Sequence, residues 1–130
     1  MTATDRAIEL ARAAAVAADD TLATDLLGID VTDLTPISDV FVLATGRTER
    51  QVTAIAREIQ DALHELGAKP ISREGLEEGR WVLLDFNEIV VHVFHEEERT
   101  YYSLERLWHD CPVVDLQLPA AESSAGGTSQ

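Results

Sequence analysis

The run Asp39-Val-Phe-Val-Leu-Ala-Thr-Gly-Arg-Thr-Glu-Arg-Gln-Val-Thr-Ala-Ile-Ala-Arg-Glu-Ile-Gln-Asp-Ala-Leu-His-Glu-Leu-Gly67 decides the fold class. Residues 39–45 are rich in β-branched and aromatic side chains, which suit a pleated and buried surface, and they read as a strand. Gly46 ends it. Thr48, with Gln51 at the third helical position, forms a capping-box pattern. Beyond it Val52, Ile55, Ala56, Ile59, Ala62, Leu63 and Leu66 keep one apolar stripe at helical spacing, closed by Gly67 and Pro70. A strand followed directly by an amphipathic helix implies a helix laid across a sheet.

Working outward, residues 4–18 read as a helix capped by Thr4, with Ile8, Ala11, Ala15 and Ala18 as a thin stripe that suits close packing on something flat. Residues 25–31 are a candidate strand, with Gly28 a bulge or close-approach point, and residues 32–36 a turn. On the other side, residues 81–86 and 88–94 are two strands joined through Asn87 alone, which predicts a tight antiparallel hairpin. Ile89, Val91 and Val93 point to one face, and Val90, His92 and Phe94 to the other. Both faces are therefore covered, as in a central strand. Residues 96–108 read as a last helix with Tyr101, Leu104, Leu107 and Trp108 on one side, stopped before Pro112. The expected class is α/β (α+β): a mixed sheet of about four to five strands with three flanking helices. The expected organisation is one domain over residues 1–110 and an extension over 111–130. Val113, Val114, Leu116 and Leu118 could pair with a sheet edge or a neighbouring molecule. The segment after Pro119 lacks large apolar residues and is expected to be disordered.

Among 130 residues, 24 Asp and Glu face 10 Lys and Arg, a formal charge of −14. Such a surface repels phosphate and argues against a broad nucleic-acid-binding face. It suits a basic protein partner, although acidity also serves solubility. Cys111 is the only cysteine, so no intrachain disulfide can form and a reducing compartment fits. No apolar run approaches the roughly 20 residues that cross a bilayer, and the first helix lacks signal- or transit-peptide character. The expectation is a cytoplasmic protein without a membrane partner.

Chemistry is hard to place on this chain. The turn at Gly46 has neither GxGxxG nor GxxxxGK[ST], so a capped strand-to-helix turn is favoured over a phosphate loop. His95-Glu-Glu-Glu-Arg99 begins like HExxH but lacks the second histidine, and His64, His92, His95 and His109 give no metal-ligand spacing. Cys111 has only His109 as a near neighbour, and Ser72 and Ser103 lack a matched base. Glu74 with Asp85 is the remaining carboxylate pair, and with 24 acids such coincidences are cheap. No catalytic residue, metal or cofactor is assigned. Residues 99–108 differ in kind: Tyr101, Tyr102 and Trp108 are three of the seven aromatics, the residue types that anchor interfaces. Core and interface readings both fit this segment.

Four segments carry a resemblance: residues 39–52, Glu74-Gly75 ahead of Trp81-Val-Leu-Leu-Asp85, Val90-Val-His-Val-Phe94, and Arg99-Thr-Tyr-Tyr-Ser-Leu-Glu-Arg-Leu-Trp108. In order and spacing, over residues 5–110, the chain resembles the Iojap family, the ribosomal silencing factors. That resemblance implies a nucleotidyltransferase-like topology without the catalytic acids, and no enzyme activity. It implies binding to the large ribosomal subunit through its fourteenth ribosomal protein, which sterically blocks joining of the small subunit and represses translation when nutrients are scarce. A role in large-subunit biogenesis is also implied. By the family motif, the partner-binding residues would be Trp81, Asp85, His92, Phe94, Arg99, Tyr101, Tyr102, Glu105 and Trp108, with Phe94 and Trp108 partly core. Thr21 stands where the family usually has Lys, and the segment after Asp110 lies outside the pattern. A nucleotide-binding enzyme is the alternative reading, and a homodimer is left open.

Overall fold

The computed structural model describes residues 2–98 and 111–118. In chain order they form α1 (Asp5–Asp20), β1 (Thr24–Asp30), β2 (Val40–Gly46), α2 (Glu49–Glu65), β3 (Ser72–Glu74), β4 (Trp81–Asp85), β5 (Ile89–His95) and β6 (Val113–Val114), and residues 96–98 are helical. The six strands make one sheet in the order β3-β4-β5-β2-β1-β6. Only the β2–β5 pair is parallel; its neighbours are antiparallel. The sheet is mixed, as expected, and wider than four to five strands because two short edge strands extend it.

α1 and α2 start where the sequence places a cap. The Thr4 hydroxyl accepts from Ala7 N–H at 3.1 Å and the Thr48 hydroxyl from Gln51 N–H at 3.0 Å, satisfying amides that a helix leaves unpaired. The Gln51 amide oxygen reaches back to Arg47 N–H at 2.7 Å, one residue before the usual partner in such a box. Its NH2 group donates to the carbonyls of Thr21 and Leu22, so one side chain ties the α1–β1 loop to the start of α2. Near the start of the chain, Asp30 Oδ2 accepts from Ala3 N–H and Asp39 Oδ2 from Thr4 N–H, anchoring the entry to α1 on the adjacent strand ends.

α1 and α2 pack on each other and on one face of the sheet. Ala7, Ala11, Ala14, Ala15 and Ala18 of α1 are fully buried, and their small side chains let the helix lie close, as its thin stripe predicts. The same core holds Val52, Ile55, Ala56, Ile59 and Leu63 of α2 above Val40, Val42, Ala44, Val82, Leu84, Ile89, Val91 and Val93. Every residue of β5 is buried, so its reading as a central strand holds. The hairpin also holds, with a three-residue link rather than one: Phe86 N–H donates to Ile89 carbonyl at 2.9 Å, and Asn87 takes φ +77°. β6 pairs with the outer edge of β1, and Leu116 is buried beside Gly28, whose missing side chain leaves room for it.

Candidate functional site

Strand alternation sends Phe41, Leu43, Val90, His92, Phe94, Trp81, Leu83 and Asp85 to the face away from α1 and α2. The register lines them up in rows. Trp81, Phe94 and Thr45 form one, Leu83, His92, Leu43 and Leu27 the next, and Asp85, Val90, Phe41 and Ile29 the third. Leu43 and Phe94 are fully buried, with Ile29 and Val31 beside them, while Trp81, Phe41 and Leu83 are half-buried. The rings interlock. His92 stacks on Phe94 at 5.9 Å with planes 6° apart, Phe41 meets its edge at 5.2 Å, and Trp81 lies 5.2 Å from Phe94.

His92 is the polar centre of this cluster. Trp81 Nε1–H donates to its Nδ1 at 3.2 Å, while its Nε2 is buried without a hydrogen-bond partner among the described residues. Burial disfavours the charged imidazole and pushes its pKa from 6.5 down to about 4, so the ring is neutral near pH 7.

At the end of β4 the Asp85 carboxylate accepts from Asn87 N–H at 2.8 Å, and the Asp85 carbonyl accepts from Ile71 N–H at 2.7 Å. Glu74 pairs with Leu83, and Asp85 with Ser72, so these two acids are staggered rather than face to face. At the other end of β4, Arg80 donates to Glu98 at 2.8 Å and Glu97 at 3.0 Å and reaches Glu49 at 3.4 Å, tying the start of β4 and of α2 to residues 97–98. The Arg80 hydrogen bond, helped by charge from His95 and Arg80, holds the Glu97 carboxyl below its ordinary value. Nothing in the sequence marks Arg80; only the folded β4 start brings it to carboxylates from two distant parts of the chain. Two glycines with positive φ shape this turn. A side chain on Gly75 would collide with the Trp81 carbonyl, and one on Gly79 would meet the Glu49 carbonyl at 2.5 Å.

Of the expected contact residues, the sheet thus brings together Trp81, Asp85, His92 and Phe94. Phe94 is wholly inside and His92 nearly so, at 8% exposure, which makes them supports beneath Trp81 and Phe41. Phe41 and Leu83 belong to the same face, and strand periodicity does not single them out because it cannot tell which face the helices cover. Arg99, Tyr101, Tyr102, Glu105 and Trp108 lie outside the described residues. At the Gly46 turn the Arg47 and Gln51 amides are satisfied by the side chains of Gln51 and Thr48, so those two amides are not free to hold a phosphate. Among the described residues, no group of three or more His, Cys, Asp or Glu could hold a metal ion, and no helix is long and apolar enough to cross a membrane.

The sequence profile of a family described as "Ribosomal silencing factor during starvation" matches residues 4–130. The chain belongs to this ribosomal silencing factor family. The Bacillus subtilis protein named Ribosomal silencing factor RsfS is 48% identical over 103 residues, 79% of this chain and 87% of that one. Protein Iojap of Arabidopsis thaliana chloroplasts is 29% identical over 91% of this chain and 47% of its own length. A crystal structure of a Bacillus halodurans protein superposes with a TM-score of 0.73 at 40% identity, over 82% of this chain and 97% of that one. The ribosomal silencing factor family is named for regulation, not for a reaction.

Proposed function

We propose that this chain is a non-catalytic silencing factor of the cytoplasm. It binds the large ribosomal subunit through the fourteenth ribosomal protein, occupies the face on which the small subunit docks, and so lowers translation when nutrients are scarce. A part in large-subunit biogenesis is compatible with the same contact. The observation that carries this reading is the sheet face opposite the helices. There the half-buried rings of Trp81 and Phe41 rest on a rigid layer of Leu43, His92 and Phe94, with Asp85 at the end of the same strand as Trp81. Large rings on a rigid support anchor an interface with few rotamers to freeze. A chain of formal charge −14 is complementary to a basic ribosomal protein, and opposite fields steer encounter.

Steric occlusion needs neither turnover nor cofactor, so one contact suffices for the whole effect. The test is co-sedimentation of the purified chain with large subunits over a salt series. Binding that weakens as salt rises supports the charge-complementary contact. No co-sedimentation at several-fold excess in low salt overturns it.

A further inference from the structure

Trp81 lies opposite Phe94 on β5 and diagonal to His92, and the indole Nε1–H meets His92 Nδ1 at 3.2 Å. A neutral imidazole that accepts at Nδ1 carries its proton at Nε2. That Nε2–H is buried with no acceptor among the described residues, an arrangement that weakens a fold because the donor has given up water for nothing. A phenylalanine at position 92 would stack on Phe94 and meet Phe41 without this loss, but would leave the indole Nε1–H without its His92 acceptor. What a histidine adds here over a phenylalanine is the hydrogen bond that holds the indole. Of the described rings packed against Trp81, His92 offers the hydrogen-bond acceptor and Phe94 does not, so His92 draws the N–H edge of the indole towards itself.

We propose that His92 is a positioning residue: it locks Trp81 in the orientation that meets the ribosomal protein. This rests on the docking reading above. The mechanism is preorganisation. An indole already fixed before encounter loses less freedom on binding than one that must choose a rotamer at the interface.

The experiment compares the unmodified chain with His92→Phe, His92→Asn and Trp81→Ala. It measures thermal stability, the indole N–H signals by NMR, and affinity for purified large ribosomal subunits. His92→Phe removes the orphan Nε2–H but also the acceptor of the indole N–H, two changes of opposite sign for stability, whereas His92→Asn places an amide oxygen where Nδ1 sits. Positioning predicts that His92→Phe melts close to the unmodified chain, shifts one indole N–H signal and binds roughly tenfold more weakly. His92→Asn melts lower, yet keeps its affinity within about twofold. Affinities that simply follow melting temperature across the unmodified chain and the two His92 variants would make His92 structural and overturn the proposal. It is overturned as well if Trp81→Ala weakens binding on the order of 30-fold while His92→Phe does not weaken it. Normal binding by Trp81→Ala would instead remove Trp81 from the interface, overturning the docking surface and this inference with it.

Discussion

Acidification should destabilise the fold through His92. The imidazole is folded at a pKa of about 4, against 6.5 when free. Because the folded value is depressed, the unfolded chain binds the proton first as pH falls, and stability is lost between 6.5 and 4. The full difference is about 3 kcal/mol, since each pKa unit carries about 1.4 kcal/mol. At pH 5 most of the unfolded chain but little of the folded chain is protonated, so about 2 kcal/mol is already gone. For a domain of this size that lowers the melting temperature by roughly 8 °C. Urea unfolding followed by tryptophan fluorescence, at pH 7 and pH 5, measures it directly. His92→Phe supplies the control, because whatever else titrates is common to both chains. The difference between the two proteins should widen by about 2 kcal/mol from pH 7 to pH 5. A constant difference would mean that the ring is solvated or charged in the fold, and the reasoning from burial would fail.

Other perturbations have separate causes. Burial pushes the Asp30 carboxyl up, but hydrogen bonds from the Thr32 hydroxyl and the Thr32 and Ala3 amides outweigh it and hold the carboxyl below 3.8. Its stabilisation is present above that value and fades as pH falls through the lower folded one; Asp30→Ala should cost about 2 kcal/mol at pH 7 by urea unfolding. Gly75→Ala combines φ +82° with a collision against the Trp81 carbonyl, and should lower stability by about 2–3 kcal/mol in the same assay. Arg80→Ala should lower the melting temperature in low salt and much less in 1 M salt, because its three carboxylate partners act through screened charge.

Strong local signals survived into the structure. The β2–turn–α2 unit is written in a β-branched run, a capping pair and an unbroken stripe, all of which act within a few residues of one another. The β4–β5 hairpin is equally local. β3 escaped because Ser72, Arg73 and Glu74 have no apolar periodicity; it exists only because β4 offers an open edge. β6 was legible only as an apolar segment in want of an edge, and the edge it takes, that of β1, depends on the strand order. The parallel pairing of β2 with β5 joins residues some fifty positions apart, beyond any local pattern. The site divides in the same way. Trp81, Asp85, His92 and Phe94 share a face by simple alternation, but the hydrogen bond between Trp81 and His92 follows from the β4–β5 register. Arg80 has no local pattern at all.

If one face of this small domain silences ribosomes by occupying the surface where subunits meet, subunit joining is the quantity to follow. Purified small and large subunits are mixed with increasing amounts of the protein, and their joining is read by light scattering. Joining should fall in step with occupancy of the large subunit, and should recover when Trp81→Ala replaces the unmodified chain. Unchanged joining at saturating protein would contradict the occlusion mechanism.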